Sequence, residues 1–133
     1  MEKVKEILIN RDEDIILARQ YARDRARELG FGLADQTRIT TAISELSRNI
    51  YLYAGTGRVL IKTLSKSSKK GIEIIAEDQG PGIPDIELAM QDGYSTGKGL
   101  GQGLPGTKRL MDEFEIKSEV GKGTTVVIRK WLS

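Results

Sequence analysis

Cysteine and histidine are both missing from the 133-residue sequence, and each absence removes whole classes of chemistry. Without thiols the chain forms no disulfide and carries no thiolate nucleophile. Without imidazole as well, it has no thiolate or imidazole zinc site, no Ser-His-Asp triad and no phosphohistidine of its own. Any reaction must rest on carboxylates, amides, hydroxyls, Lys, Arg and backbone N–H groups. A charge excess is missing too: 21 Lys and Arg stand against 19 Asp and Glu, a net +2. That field is too small to hold a nucleic-acid backbone or an anionic membrane. No apolar run approaches the ~20 residues of a membrane-spanning helix, and the first ten residues interleave charges with a few apolar side chains. Neither a span nor a secretion signal is expected, and the sequence reads as a soluble, cytoplasmic protein. No repeat or linker divides it, so one domain over 1–133 is expected, long enough to bury about two thirds of its unfolded surface around one core.

What is present is a clear alternation of periodicities. Val4 to Asn10 reads as a short strand, with Ile7 and Ile9 on one side and Leu8 on the other. Asp12 or Asp14 then offers an N-cap to a helix from Ile15 to Leu29, whose Ile15, Ala18, Ala22, Ala26 and Leu29 recur at helical spacing beside a cationic stripe of Arg19, Arg23 and Arg27; Gly30 ends it. A second helix begins near Ala34 or Asp35, with Ile39, Ala42, Ile43, Leu46, Ile50 and Tyr53 as its apolar stripe, and breaks over Ala54 to Gly57. The β-branched runs Val59 to Leu64 and Ile72 to Ala76 predict a hairpin turning over Ser65 to Gly71. The glycine-heavy region Gly93 to Gly106 predicts a loop, followed by a short helix over Thr107 to Asp112. Two final strands, Phe114 to Glu119 and Thr124 to Trp131, are joined at Gly121-Lys122-Gly123. Early helices followed by mostly antiparallel strands predict an α/β two-layer sandwich: a mixed, mostly antiparallel sheet with helices on one face and the chemistry on the helical side.

Four features could carry that chemistry. Glu45 and Asn49 lie one helical turn apart on the second helix, a proton acceptor above an amide oxygen suited to Mg²⁺. Asp78-Gln79-Gly80-Pro81-Gly82 follows a strand directly, so the carboxylate can accept from an exocyclic amine while the glycines let backbone pass under a flat base. Gly99 to Gly106 offers a run of backbone N–H groups for phosphates ahead of a helix start. Gly123-Thr124 sits at the last hairpin. Taken singly, each also has a purely structural explanation: a polar helix flank, a capped tight turn, a surface loop and a hairpin turn. Gly101 to Gly106 fits G-x-G-x-x-G, but no strand precedes it and no βαβ unit surrounds it, which excludes a dinucleotide fingerprint; no G-x-x-x-x-G-K-[ST], H-R-D or D-F-G motif exists either.

In order along the chain, Glu45 with Asn49, Asp78 with Gly80 and Gly82, the Gly99 to Gly106 loop, and Gly123-Thr124 resemble the N, G1, G2 and G3 boxes of the GHKL (Bergerat-fold) ATPases and kinases. The resemblance covers nearly the whole chain. Thr40 to Ala54 and Glu77 to Asp85 are most similar to the small anti-sigma-factor and switch kinases of bacteria within that superfamily. It implies a serine/threonine-protein kinase that uses ATP and Mg²⁺. Glu45 would be the catalytic base and Asn49 the Mg²⁺ ligand. ATP would be bound by Asp78, Gly80, Gly82, Gly99, Gly101, Gly103 and Thr124, with Asp78 on the adenine. Related kinases often carry a lid arginine near the γ-phosphate, whereas the only cation between Gly93 and Gly106 is Lys98, a γ-phosphate contact or a solvated lysine. Arg48, opposite the core stripe, is expected as a surface or partner contact rather than a ligand to ATP. The implied partners are a STAS-domain substrate on a stressosome scaffold and a PP2C-type phosphatase activated afterwards, in a general stress pathway. An anti-sigma factor that sequesters its target with ATP as modulator, and an ATP hydrolase, share the same nucleotide motifs.

Overall fold

The computed structural model describes residues 4–90 and 103–132; Lys98, Gly99 and Gly101 lie outside them. The elements run β1 (Val4–Ile9), α1 (Asp12–Leu29), α2 (Leu33–Asn49), a π-helical turn (Ile50–Ala54), β2 (Gly57–Lys66), β3 (Lys69–Asp78), α3 (Ile86–Ala89), α4 (Gly103–Leu110), β4 (Glu113–Glu119) and β5 (Gly123–Trp131). The strands form one sheet in the order β1-β2-β3-β5-β4, and each of these four pairings is antiparallel. This is the expected sandwich of a sheet flanked by helices, the Bergerat architecture.

Alternation along the strands decides what lies inside. Ile7 and Ile9, Val59 and Ile61, Ile72, Ile74 and Ala76, and Val126 and Ile128 are buried on the helical face. They meet Ala18, Ala22 and Ala26 of α1, Ile39, Ile43 and Leu46 of α2, and Ile50 of the π-helical turn. Each fully buried Ile or Leu contributes roughly 1.5–3 kcal/mol over leaving it exposed. On the opposite face Arg129 lies among three carboxylates, Glu73 at 2.6 Å and Glu113 and Glu115 at 2.9 Å each, which ties β3, β5 and β4 together.

Several local boundaries differ from the sequence expectation, each for a physical reason. α1 starts at Asp12 with Arg11 as its N-cap. Asp14 caps from inside the first turn, its carboxylate accepting the backbone N–H of Asn10 at 2.9 Å and of Arg11 at 3.0 Å. The first hairpin turns tightly on Ser67 and Ser68, both at positive φ (49° and 65°), a twist that suits a two-residue connection. The pairing therefore extends to Lys66 and Lys69 instead of opening into a loop. α2 does not end in a plain break: the N–H of Gly55 donates to the Ile50 carbonyl at 2.9 Å, an i to i+5 bond that adds one wide turn. The last helix begins at Gly103, four residues before the expected start, because Pro105 in the first turn needs no N–H partner and Thr107 Oγ1 donates back to the Gly103 carbonyl at 3.1 Å. Gly103 to Gly106, expected as loop, are thus helical.

Candidate nucleotide-binding site

Three side chains form a cross-strand row at one end of the sheet. Asp78 of β3 is in register with Thr124 of β5, and Thr124 with Ser118 of β4. Asp78 continues the inward set Ile72, Ile74 and Ala76, and Thr124 the inward set Val126 and Ile128, so the row faces the helices. Asp78 Oδ1 accepts the N–H of Gly80 at 2.9 Å, which fixes the carboxylate against its own turn. The Ser118 hydroxyl accepts the N–H of Ile83 at 2.7 Å, donates to the Gly123 carbonyl at 3.1 Å and lies 2.8 Å from Thr124 Oγ1. Ser118 thereby joins the Pro81-Gly82-Ile83 segment to the β4–β5 hairpin. The Gly121 N–H, donating to the Pro81 carbonyl at 2.9 Å, closes the same junction.

The glycines here are required by close approach. A Cβ on Gly82, whose φ is +80°, would lie 2.3 Å from the Glu119 carbonyl oxygen, and one on Gly123, at φ +113°, would lie 2.0 Å from the Asp78 carbonyl oxygen. Both positions therefore exclude any side chain twice over, by conformation and by space. A Cβ on Gly80 would sit 2.6 Å from Ala54 Cβ. That contact brings the π-helical turn at the end of α2 against the Asp78 turn.

Through it, the helix bearing Glu45 and Asn49 ends beside the Asp78 row. Glu45 is buried, 6% exposed, and Asn49 is half-buried one turn further on. Arg48, part-exposed, pairs with its neighbour one turn back: Nη1 lies 3.1 Å from Glu45 Oε1. α4 packs on α2, with Pro105, Gly106 and Thr107 buried at the contact and Gly103 at its start. The structure sets Asp78, Gly80, Gly82 and Thr124 together at the end of the sheet, and Glu45 and Asn49 lie on the helix whose continuation, through Ala54, reaches Gly80; Gly103 lies on the helix packed against α2. Sequence reading missed Arg48, Ser118 and Ala54. Ser118 was accessible in principle, because pairing the last two strands about Gly121 sets it opposite Thr124.

Among the described residues no group of three or more carboxylates stands together as a metal cage. One amide oxygen at Asn49 matches what Mg²⁺ asks of a protein when phosphates and waters supply its remaining ligands.

The residues from 34 to 133 match the family of histidine kinase-, DNA gyrase B- and HSP90-like ATPases. Among curated relatives, the serine/threonine-protein kinase RsbT of Bacillus subtilis (strain 168) is 63% identical over 119 residues, covering 90% of both chains. The anti-sigma F factor of Thermoanaerobacter sp. (strain X514) is 32% identical over 130 residues, covering 93% of this chain and 90% of its own. A solved structure of RsbU and RsbW domains from Mycobacterium tuberculosis superposes with a TM-score of 0.64 at 18% identity, over 98% of this chain and 33% of that longer one. A mycobacterial sensor histidine kinase, MprB, gives 0.56 at 17% identity over 98% and 97% of the two chains; both structural likenesses speak for the fold alone. With the family model spanning α2 to β5 and such identity over nearly full length, the chain belongs to the histidine kinase-, DNA gyrase B- and HSP90-like ATPase family and is closely related to its RsbT-type serine/threonine-protein kinases.

Proposed function

We propose that the chain is a partner-switching serine/threonine-protein kinase of a general stress pathway. It moves the γ-phosphate of ATP to a Ser or Thr of a STAS-domain stressosome protein in the cytoplasm, then binds and activates a PP2C-type phosphatase. The observation that carries the reading is the meeting of two halves of a site. A buried carboxylate, Glu45, stands one turn from an amide ligand, Asn49, and the same helix ends against the turn that fixes Asp78.

Asp78, held as an acceptor by its bond to the Gly80 N–H, receives the exocyclic amine of adenine, with Gly80 and Gly82 leaving the base room and Thr124 supporting it. Asn49 would hold Mg²⁺ through its amide oxygen, and the ion would supply neutralisation of phosphate charge. Glu45 takes the proton of the acceptor hydroxyl as that oxygen bonds to the γ-phosphorus; the bond from the γ-phosphorus to the bridging oxygen breaks and ADP leaves. Lys98, Gly99, Gly101 and Gly103 are assigned to the phosphates on the strength of the family resemblance.

An anti-sigma factor that uses ATP only to tune its grip on a target is the second reading, favoured by the 32% identity to an anti-sigma F factor; the 63% identity to a kinase weighs more. Incubation with Mg²⁺, γ-labelled ATP and a mixture of STAS-domain proteins separates them. Acid-stable label on a STAS Ser or Thr, lost in Glu45→Ala, supports the kinase. Tight ATP binding without transfer supports the sequestering module.

A further inference from the structure

The Ser118 hydroxyl is the junction of three hydrogen bonds, and counting its protons has a consequence for the neighbouring Thr124. A serine hydroxyl has one hydrogen and two lone pairs. The Gly123 carbonyl, 3.1 Å away, can only accept, so the Ser118 hydrogen is spent there. The Ile83 N–H, 2.7 Å away, can only donate and takes one lone pair. The 2.8 Å contact to Thr124 Oγ1 is then a bond in which Thr124 donates, to the remaining lone pair. With its hydrogen committed, Thr124 presents only acceptor lone pairs. Its register neighbour Asp78 is an acceptor as well, with Oδ1 already on the Gly80 N–H. The helix-facing end of the row therefore offers acceptors at two adjacent positions and a donor at neither.

Resting on the nucleotide-site reading above, we propose that Ser118 is a positioning residue for nucleobase choice: by fixing the Thr124 hydroxyl as an acceptor, it makes the site select a purine with an amine at C6 over one with a carbonyl there. An amine supplies two hydrogens that both acceptors can use directly. A carbonyl at C6 faces lone pairs with lone pairs, and a hydroxyl free to rotate would relieve that conflict by turning its hydrogen inward. Discrimination built on unpaired polar groups is the kind that binding sites achieve most strongly.

The test is the ratio of dissociation constants for inosine triphosphate and ATP, measured with Mg²⁺ on the whole chain. Ser118→Ala releases the Thr124 hydrogen, and the ratio is expected to fall about five-fold, with ATP binding weakened and inosine triphosphate binding held or improved. Thr124→Val removes the acceptor and should lower the ratio by a similar factor. Ser118→Ala combined with Thr124→Val should fall no further than Thr124→Val alone, because Ser118 acts through that hydroxyl. A merely structural pin would weaken both nucleotides equally, and an unchanged ratio in Ser118→Ala overturns the proposal even if affinity drops. Additive losses in the double variant overturn it too. Failure of the unsubstituted chain to bind either nucleotide overturns the site reading itself, which sets that outcome apart from the others.

Discussion

Arg48 and Glu45 form an ion pair across one turn of α2, Nη1 to Oε1 3.1 Å, with the Glu45 side chain only 8% exposed and that of Arg48 27% exposed. The pair fixes the direction of the Glu45 oxygen. If Glu45 is the base proposed above, Arg48→Ala is expected to lower the transfer rate about ten-fold while the KM for ATP stays within about two-fold, since Arg48 contacts Glu45 and not the adenine end. Arg48→Lys should recover part of the rate, because an ammonium supplies charge without the planar fork. Steady-state kinetics on a STAS substrate decide the matter; a raised KM with unchanged kcat would place Arg48 on the nucleotide instead.

The glycines of the site separate by their surroundings, and their substitution should separate the same way. Gly123→Ala puts a Cβ 2.0 Å from the Asp78 carbonyl oxygen at φ +113°, whereas Gly121→Ala meets nothing within 4 Å and bears only the strain of φ +82°. Gly121→Ala should cost about 1 kcal/mol. Gly123→Ala should cost roughly 3 kcal/mol or more and abolish ATP binding by pushing Asp78 away from Thr124. Urea unfolding and nucleotide titration on the two variants provide the comparison.

That contrast also shows what was legible in the sequence. Hydrophobic period alone located both long helices and all five strands, because Ile72, Ile74 and Ala76 or Ile39, Ile43 and Leu46 must share a face to be buried. The spacing of Glu45 and Asn49 and the order of the glycine motifs pointed to the candidate site. The burial of Glu45 was not legible: the i to i+3 spacing already sets Arg48 beside it, but a helical wheel sets Glu45 off the core stripe, and its burial to 6% exposed comes from tertiary packing. Nor was the helix at Gly103, where two glycines and a proline argue for loop until burial of Pro105, Gly106 and Thr107 against α2 outweighs their poor propensity.

Asp14 ties acid sensitivity to one helix end. Its carboxyl is held below the ordinary value of 3.8 by the backbone N–H groups of Asn10 and Arg11, and the start of a helix favours the same negative charge. A depressed folded-state value means that the bond contributes fully above the unfolded-state value and is lost as pH falls through the folded one. Asp14→Asn should therefore lower the thermal midpoint at neutral pH, and the gap between variant and parent should close as pH drops below about 4. A gap that persists unchanged at pH 2.5 would show that packing of the side chain, not its charge, is what matters.

Arg129 makes the opposite face of the sheet testable without touching the site. Burial works against its charge, but the hydrogen bonds it donates to Glu73, Glu113 and Glu115 outweigh that and push its pKa up. Glu73 is the most enclosed of the three, its side chain 11% exposed against 44% for Glu113 and 59% for Glu115. Arg129→Met leaves Glu73 facing apolar surface with Lys62 Nζ, 3.8 Å away, as its remaining cation, and should cost about 1–3 kcal/mol at neutral pH after allowance for solvent screening. Adding Glu73→Leu removes the stranded charge and pairs a leucine with the neighbouring aliphatic positions Leu60, Ile75 and Val127, so the double variant should regain most of that loss. ATP binding should be unchanged throughout, because Arg129 and Glu73 project away from the helices while Asp78 and Thr124 project toward them. A fall in ATP affinity in Arg129→Met that Glu73→Leu does not restore would mean that the two faces of the sheet are coupled through β5.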